Sequence, residues 1–452
     1  MNLTVFLNEL GLGGTEKAAC LWAGLLKQKH PDWKIQVLSL QDGPRRADLE
    51  RFGIPLHVCP NSLISNNVGF LSDRLDSADV IHAHCPGSRH QGDILGQVFK
   101  ELGRKIPVVQ TNIFGRLDNP RENEWTSLRL FISWTSCVQA ARRSGRKLDL
   151  DFFRQQSVAV YPVLDPFGAK AEVQGSRAIL QKAADEFRAS IGLKSCHVLF
   201  GRFSRPEPNK WTPLVLDAFL AAYRENPNIR LLLREPPPAV AAELVSQNLA
   251  RWPSTPDPRA STLPILLLPA TSDPKELTIS QLASDVVLHT SSIGESFGYG
   301  IAEPMALGKP VITNSTPWRD QAQIELVKHG ECGLIASTVS NMRKAILRMA
   351  ENDQWRVKCG DEARRHILAL ADAEESTARL LTALKCAMEG SDNPQAERDL
   401  AKARKAAEYL DKHQWGHNLA EQIYLRSLTG KVNAFRAFHF FKKKPRIEPS
   451  KL

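Results

Sequence analysis

The segment Ser291–Ile312, "SSIGESFGYGIAEPMALGKPVI", places two carboxylates, Glu295 and Glu303, eight residues apart and shortly after an apolar run of strand character. The first half is rich in glycine, and "IAEPMALG" predicts a short helix. The glycines of this loop are Gly294, Gly298 and Gly300. Taken alone, the segment also fits a capping carboxylate in a turn and a second glutamate in solvent, and that interpretation is the simpler one.

The chemistry of this loop favours a ligand that carries both phosphates and hydroxyls. Peptide N–H groups around Gly298, Tyr299 and Gly300, at the start of a helix, are suited to an anion. Carboxylates are poor neighbours for a phosphate, but they accept hydrogen bonds from sugar and ribose hydroxyls. A nucleotide-sugar contains both kinds of group.

A second glycine-rich stretch, "LNELGLGGTE" at Leu7–Glu16, lies between a short apolar run and a helix-like run. It lacks the G-x-G-x-x-G spacing of a dinucleotide site, because Glu16 occupies the place of the third glycine. A carboxylate at this helix start would repel a pyrophosphate, which argues against NAD. On its own, the stretch is most simply a tight turn in which Thr15 or Glu16 helps to cap a helix.

Composition indicates a cytosolic protein of two large domains. The 452 residues are enough for two hydrophobic cores, and no apolar run approaches the roughly 20 residues of a membrane helix. Glu9 interrupts the first apolar run, so we expect no signal peptide. The eight cysteines have no metal-ligand spacing and are expected to be reduced. The net charge of +10 favours acidic partners without choosing among phosphates, anionic lipids and nucleic acid.

Two successive series of strand-like and helix-like runs predict an α/β protein. The first series extends from "LTVFL" to "SVAVYPV", and the second from "HVLFGRF" to "ECGLIAS". We therefore expect two facing Rossmann-like domains with parallel sheets and an inter-domain cleft, where ligands bind at strand ends. The predicted domains are residues 1–170, residues 171–390 and a helical, basic extension at 391–452.

Five motifs together resemble the retaining family 4 glycosyltransferases, which have the GT-B fold. The array "ESFGYGIAE" with "PMALGKPVI" resembles their E-x7-E signature, and "GGTE" at Gly13–Glu16 resembles their first glycine loop. "DVIHAH" at Asp79–His84 is similar to their strand-end histidine motif. "GRFSRPEPNK" at Gly201–Lys210 is similar to their Gly-Arg and downstream lysine, and "IELVKHGECGLIA" at Ile324–Ala336 to the block after the signature.

The resemblance implies a role for each matching residue. Gly13 and Gly14 would let the first loop approach the donor, and His84 would lie near the anomeric carbon. Arg202 and Lys210 would hold the diphosphate of the leaving group.

The two glutamates of the signature would bind hydroxyls. Glu303 would bind the ribose, and Glu295 would bind the transferred sugar. Simpler alternatives exist for the other positions: Arg202 pairing with Glu207 at the surface, Lys210 as solvated charge, and a buried strand-end histidine, which is the preferred interpretation of His82.

Three stretches depart from the family pattern. "YPVLDP" at Tyr161–Pro166 lacks N-G-V-D, "TNIFG" at Thr111–Gly115 replaces T-x-H, and "LLLREPPP" at Leu231–Pro238 lacks a G-x-G turn. The first two leave the acceptor undetermined, and the third leaves nucleobase recognition undetermined.

The expected activity is metal-independent sugar transfer from a nucleotide-sugar to an acceptor hydroxyl with retention, in cell-surface glycan or glycolipid synthesis and without a cofactor. The alternatives are a nucleotide-sugar epimerase on the same fold, and a catalytically silent nucleotide-sugar or glycan-binding module. The acceptor would be a glycan or a lipid-linked molecule, and no specific nucleic acid is expected. The tail "FRAFHFFKKKPR" at Phe435–Arg446 suits contact with an anionic inner membrane surface, and packing on the first domain is an equal alternative.

Overall fold

The computed structural model describes residues 1–85, 89–117, 124–168, 176–207, 210–252, 263–317 and 319–414. These residues form two compact units. The first comprises Met1–Pro162 and Ala371–Leu410, and the second is built on Val163–Leu370. The predicted tail contact at Phe435–Arg446 falls outside the described residues.

The first unit is built on a sheet of seven parallel strands in the order β3-β2-β1-β4-β5-β6-β7, counted in its described part. Its strands are β1 (Asn2–Leu7), β2 (Lys34–Ser39), β3 (Leu56–Val58), β4 (Val80–Cys85), β5 (Val108–Asn112), β6 (Leu128–Phe131) and β7 (Gln156–Val158). Its helices before the second unit are Gly14–Lys29, Arg46–Arg51, Val68–Leu75, Arg89–Leu102, Trp134–Arg143 and Leu150–Arg154, with a short 3₁₀ turn at Ile64–Asn67.

The second unit repeats this plan, with seven parallel strands in the order β10-β11-β9-β8-β12-β13-β14 among its described residues. The strands are β8 (Val198–Phe203), β9 (Ile229–Arg234), β10 (Ala250–Arg251), β11 (Ile265–Leu268), β12 (Val286–His289), β13 (Val311–Thr313) and β14 (Gly333–Ile335). The helices are Arg177–Ser190, Pro213–Glu225, Pro238–Ser246, Pro274–Ala283, Tyr299–Ala306, Ala322–Leu326, Val339–Glu351 and Asp353–Leu370.

Apolar side chains are buried on both faces of the second sheet, since Leu199 of β8 and Leu232 of β9 are buried on the face opposite to Phe200. Phe200 of β8 and Leu231 and Leu233 of β9 are fully buried beneath helices, and Phe219 of the helix Pro213–Glu225 packs in the same cluster. Strands covered on both faces are near-continuous apolar runs, as in these sequences. The predicted α/β class with two Rossmann-like units is confirmed.

Two C-terminal helices, Ala373–Glu389 and Ala396–Gln414, extend beyond the second unit, and the chain up to Leu410 belongs to the first. The predicted domain 171–390 and extension 391–452 therefore divide the chain differently from the structure. The physical reason is a set of buried polar contacts to the rest of the first unit: Ser376 accepts a hydrogen bond from Trp22 of the helix Gly14–Lys29, and Asp399 accepts one from Ser157 of β7.

No helix in the described ranges is both long and apolar enough to cross a bilayer.

Candidate functional site

Two neighbouring strands of the second sheet carry the predicted site residues to one edge. Strands β8 and β12 pair in parallel, so their carboxyl ends lie side by side. Arg202 is near the end of β8, and His289 is the last residue of β12. The loops that follow bring Lys210 and Glu295, which are 85 residues apart in sequence, into direct contact.

The carboxylate of Glu295 is the centre of this cluster. Its Oε1 accepts hydrogen bonds from Lys210 Nζ at 2.7 Å and from His289 Nε2 at 2.9 Å. Its side chain is only 12 % exposed. Among the described residues no donor contacts the second oxygen, Oε2, which leaves one acceptor for a ligand hydroxyl.

Charge keeps Glu295 ionised in spite of burial. Burial alone raises the pKa of this carboxyl, but the Lys210 ammonium and the His289 hydrogen bond outweigh it and lower the pKa to about 2. Burial lowers the pKa of His289, although Glu295 opposes that shift. An ionised carboxylate only accepts hydrogen bonds, so we assign the proton of a neutral His289 to Nε2.

Arg202 is buried, with an exposed fraction of 1 %. Its guanidinium donates to Thr290 Oγ1 at 3.2 Å, to the Thr290 carbonyl at 3.0 Å, and to the Lys210 carbonyl. It also lies over the Trp211 ring at 4.5 Å. Burial lowers its pKa to about 9. In this structure Arg202 therefore holds the main chain that presents Lys210, and Glu207 is paired with Arg205 instead.

Glycines allow the loop after β12 its sharp course. Gly294 has φ 72°, and a Cβ there would lie 1.6 Å from the Asp320 carbonyl oxygen. Gly298, with φ 107°, precedes the first residue, Tyr299, of the helix Tyr299–Ala306. A Cβ on Gly300 would lie 2.9 Å from the Phe203 carbonyl oxygen, so the helix start packs directly on β8.

The same helix carries Glu303, which is half-buried. The predicted short helix after the glycines is thus present, and it includes Pro304 in its interior. Main-chain contacts fasten the loop before it: Ala322 N donates to the Glu295 carbonyl at 2.8 Å, and Glu295 N donates to Gln323 Oε1 at 3.0 Å.

Four contributors to the site carry no motif signal of their own. They are His289, Thr290, Asn314 and Gln323. Asn314, for example, exchanges two hydrogen bonds of 3.0 Å with the main chain of Ser291, across strands β12 and β13. Their place in the sequence was the signal that could have found them, because His289 and Asn314 lie at the ends of apolar runs that predict strands.

The remaining predicted residues lie in the first unit. Gly13 precedes the helix Gly14–Lys29, and a Cβ on Gly13 would lie 2.1 Å from Glu16 Oε2. The Glu16 carboxylate therefore lies directly beside Gly13, at the helix start where Glu16 was one of two expected capping residues. Gly14 is exposed at the helix start.

His84 and His82 lie on β4 with ring centroids 4.2 Å apart. His82 is buried and bonds through Nε2 to Thr111 Oγ1 at 2.8 Å, which agrees with its interpretation as a strand histidine. His84 is fully buried beside Trp22, and neither ring nitrogen has a hydrogen-bond partner among the described residues. Burial lowers the pKa of His84 well below its usual value, so the ring is neutral.

Within the described ranges, no group of three or more His, Cys, Asp or Glu side chains is arranged to hold a metal ion. Lys210 and the peptide N–H groups at the start of the helix Tyr299–Ala306 are groups of the kind that contact anions.

Comparison with solved structures identifies the fold. The UDP-glucose complex of HepE from Anabaena has 19 % identity and a TM-score of 0.63, covering 85 % of this chain and 99 % of that one. Sucrose-phosphate synthase from Thermosynechococcus elongatus has 15 % identity and a TM-score of 0.61, covering 86 % and 100 %. A putative UDP-N-acetylglucosamine 2-epimerase from Listeria monocytogenes has 14 % identity and a TM-score of 0.55, covering 87 % and 99 %. Likeness at these identities shows the two-unit α/β fold, of the GT-B type.

Comparison by sequence covers a shorter part of the chain than comparison by structure. No curated protein matches the chain. Residues 266–366 match the family model described as "Glycosyl transferases group 1", and this segment contains β12, the glycine loop and the helix with Glu303. This part of the second unit is therefore similar to the glycosyl transferases group 1 domain.

Proposed function

We propose that the protein transfers a sugar from a nucleotide-sugar to an acceptor hydroxyl, with retention of anomeric configuration and without a metal ion. The observation that supports this most strongly is the Lys210–Glu295–His289 cluster beside the start of the helix Tyr299–Ala306. It combines one cation, a helix N-terminus and one carboxylate oxygen available to a hydroxyl. A nucleotide-sugar presents the matching groups.

The leaving group of such a reaction gains negative charge as the glycosidic bond breaks. In this proposal Lys210 and the N–H groups at Gly298, Tyr299 and Gly300 stabilise that negative charge. In metal-dependent sites a bound metal ion has this role. Arg202 acts behind them, because its guanidinium holds the Lys210 main chain and Thr290.

Hydroxyl recognition is divided between the two glutamates. Glu303, on the helix, binds the ribose, and Glu295 binds the transferred sugar through Oε2. Gly14, exposed at the helix start, leaves room for the donor, and Gly13 does so when the Glu16 carboxylate moves away from it. His84, neutral and without a hydrogen-bond partner in the described part of the chain, is the candidate to contact the sugar near its anomeric carbon.

The donor proposed for the first trial is a UDP-sugar. The HepE complexes contain UDP, UDP-glucose, or UDP with glucose, on a related fold. The proposed acceptor is a glycan or lipid-linked hydroxyl of cell-surface synthesis, reached from the cytoplasm, with the basic tail at an anionic membrane surface.

A thermal-shift screen with UDP, GDP, ADP and their sugars tests the donor, because a ligand that binds the native state raises its apparent stability. The best donor is then incubated with candidate acceptors, with and without EDTA, and the product linkage is determined by NMR. We expect glycoside formation with the donor's anomeric configuration in both conditions. Inverted product would refute retention, and loss of activity in EDTA would refute metal independence.

Epimerisation is the second candidate, since an epimerase is among the similar folds. Donor incubated without acceptor separates the two activities. A changed sugar still attached to its nucleotide identifies an epimerase, whereas binding without any product identifies a silent binding module.

A further inference from the structure

His289 lies at the end of β12 with its ring enclosed between Glu295 and the glycine loop. Its side chain is 5 % exposed. Nε2 is 2.9 Å from Glu295 Oε1, and Nδ1 is 3.5 Å from the place where a Cβ on Gly300 would lie. The ring therefore fills the space between the first carboxylate of the motif and the helix start.

The two donors to Glu295 hold it differently. Lys210 reaches Oε1 through a flexible four-carbon stem and is the cation proposed for the diphosphate. His289 is anchored on a central strand and is enclosed by the loop, so its position is fixed by the fold. When Lys210 turns to a phosphate, His289 is the donor that remains on Oε1.

Resting on the proposed function, we infer that His289 is a positioning residue for sugar recognition. Its Nε2–H holds Oε1 of Glu295 so that Oε2 faces the transferred sugar and accepts a hydrogen bond from one of its hydroxyls. His289 itself does not touch the substrate. The site therefore selects donors whose sugar has a hydroxyl at that place, and the selection depends on a histidine outside the signature.

A double-mutant cycle tests this action through Glu295. The variants are His289→Phe, which keeps a ring but removes the donor, His289→Gln, which restores an N–H at similar reach, Glu295→Ala, which removes the acceptor, and the pair His289→Phe with Glu295→Ala. We expect His289→Phe to lower kcat/KM for UDP-glucose on the order of tenfold, and His289→Gln to recover most of it. In the Glu295→Ala background, His289→Phe changes kcat/KM less than about twofold, because the shared interaction is already lost.

Affinity separates sugar recognition from nucleotide binding. By calorimetry, His289→Phe weakens UDP-glucose on the order of tenfold and leaves UDP unchanged. His366→Phe is the matched control, since it removes a histidine whose Nε2, among the described residues, bonds to the Glu325 carbonyl. Equal losses from His289→Phe in both backgrounds, equal weakening of UDP, or full activity of His289→Phe would each overturn the inference.

The His289–Glu295 contact can also be tested by a measurement that does not depend on enzyme activity. The ring ¹⁵N shifts of His289 report an Nε2–H tautomer if it donates to Glu295, and an Nδ1–H tautomer would contradict the inference. If the parent protein transfers no sugar from any donor, the proposed function fails while this measurement still decides the His289–Glu295 contact.

Discussion

Lys210 and Glu295 form an ion pair that is four-fifths or more buried, with side chains 17 % and 12 % exposed. Removing one member of a buried ion pair destabilises a protein much more than removing one member of an exposed pair, because the remaining charge is left buried without its partner. In the proposed function, the pair also joins the cation for the leaving group to the carboxylate for the sugar. Its disruption should therefore be seen in catalysis as well as in the pH profile.

Lys210→Ala should lower kcat by about 10² to 10³-fold, the size of effect seen when one preorganised charge-stabilising donor is lost. It should also raise the pKa of Glu295 above its parent value of about 2, because the Lys210 ammonium is a principal cause of that low value. In the proposed function ionised Glu295 accepts the sugar hydroxyl, so the acid limb of the kcat/KM profile should move to higher pH. Lys182→Ala removes an exposed partner of Glu186 and should change neither quantity.

Arg202→Ala should reduce stability together with activity. The change leaves a cavity against Trp211 and removes donors from the buried carbonyls of Thr290 and Lys210, and such losses cost about 2–4 kcal/mol. Chemical denaturation of the second unit measures the stability, and steady-state kinetics measures the activity. Arg205→Ala is the control, because the Arg205–Glu207 pair is half exposed. Wild-type stability in Arg202→Ala would mean that the guanidinium does not hold this loop.

At the scale of elements, the sequence predicted almost every strand. Of the fourteen strands among the described residues, thirteen correspond to apolar runs, and the exception is β10, which has only two residues, Ala250 and Arg251, and no alternating pattern. Glycines also predicted the turn before the helix Tyr299–Ala306. The Lys210–Glu295 contact could not be predicted from spacing, because it depends on β8 lying beside β12, and strand order has no local signal. The docking of the last helices on the first sheet was missed for the same reason.

The loop between β12 and its following helix depends on Gly294. Its φ of 72° is unfavourable for other residues, and an added Cβ would meet the Asp320 carbonyl oxygen at 1.6 Å. Gly294→Ala should therefore destabilise the protein by about 2–4 kcal/mol and displace Glu295, which follows directly. Gly192→Ala has a similar φ of 77° but open space around the new Cβ, and should cost only about 1 kcal/mol. Denaturant titration compares the unfolding free energies of the two variants. Equal losses would show that the Asp320 main chain moves aside to accept the new Cβ.

The first unit is built from two separate parts of the chain, because the C-terminal helices return to pack against strands of the first sheet. Arg379 and Asp399 form a pair at 2.6 Å with side chains 4 % and 0 % exposed. Arg379 also donates to the Val158 carbonyl at 3.0 Å, and Asp399 accepts from Ser157 at 2.7 Å and from Asn393 at 3.1 Å. Every oxygen of the carboxylate is thus used, and the pair fastens residues more than 200 positions apart in sequence.

Breaking this pair tests whether it anchors the C-terminal helices. Asp399→Leu removes the buried carboxylate partner of Arg379 and leaves it the half-exposed Glu375 carboxylate at 3.1 Å, and we expect a loss of about 3–5 kcal/mol from the first unit. The double variant Arg379→Met with Asp399→Leu removes both charges and should recover most of that loss, because the replaced pair no longer has to be desolvated. Arg398→Gln breaks only the exposed contact to Glu375 and should cost less than about 1 kcal/mol. Hydrogen exchange in β7 and the helix Ala373–Glu389 provides the local measurement. If Asp399→Leu leaves protection there unchanged, apolar packing alone holds the last helices to the sheet.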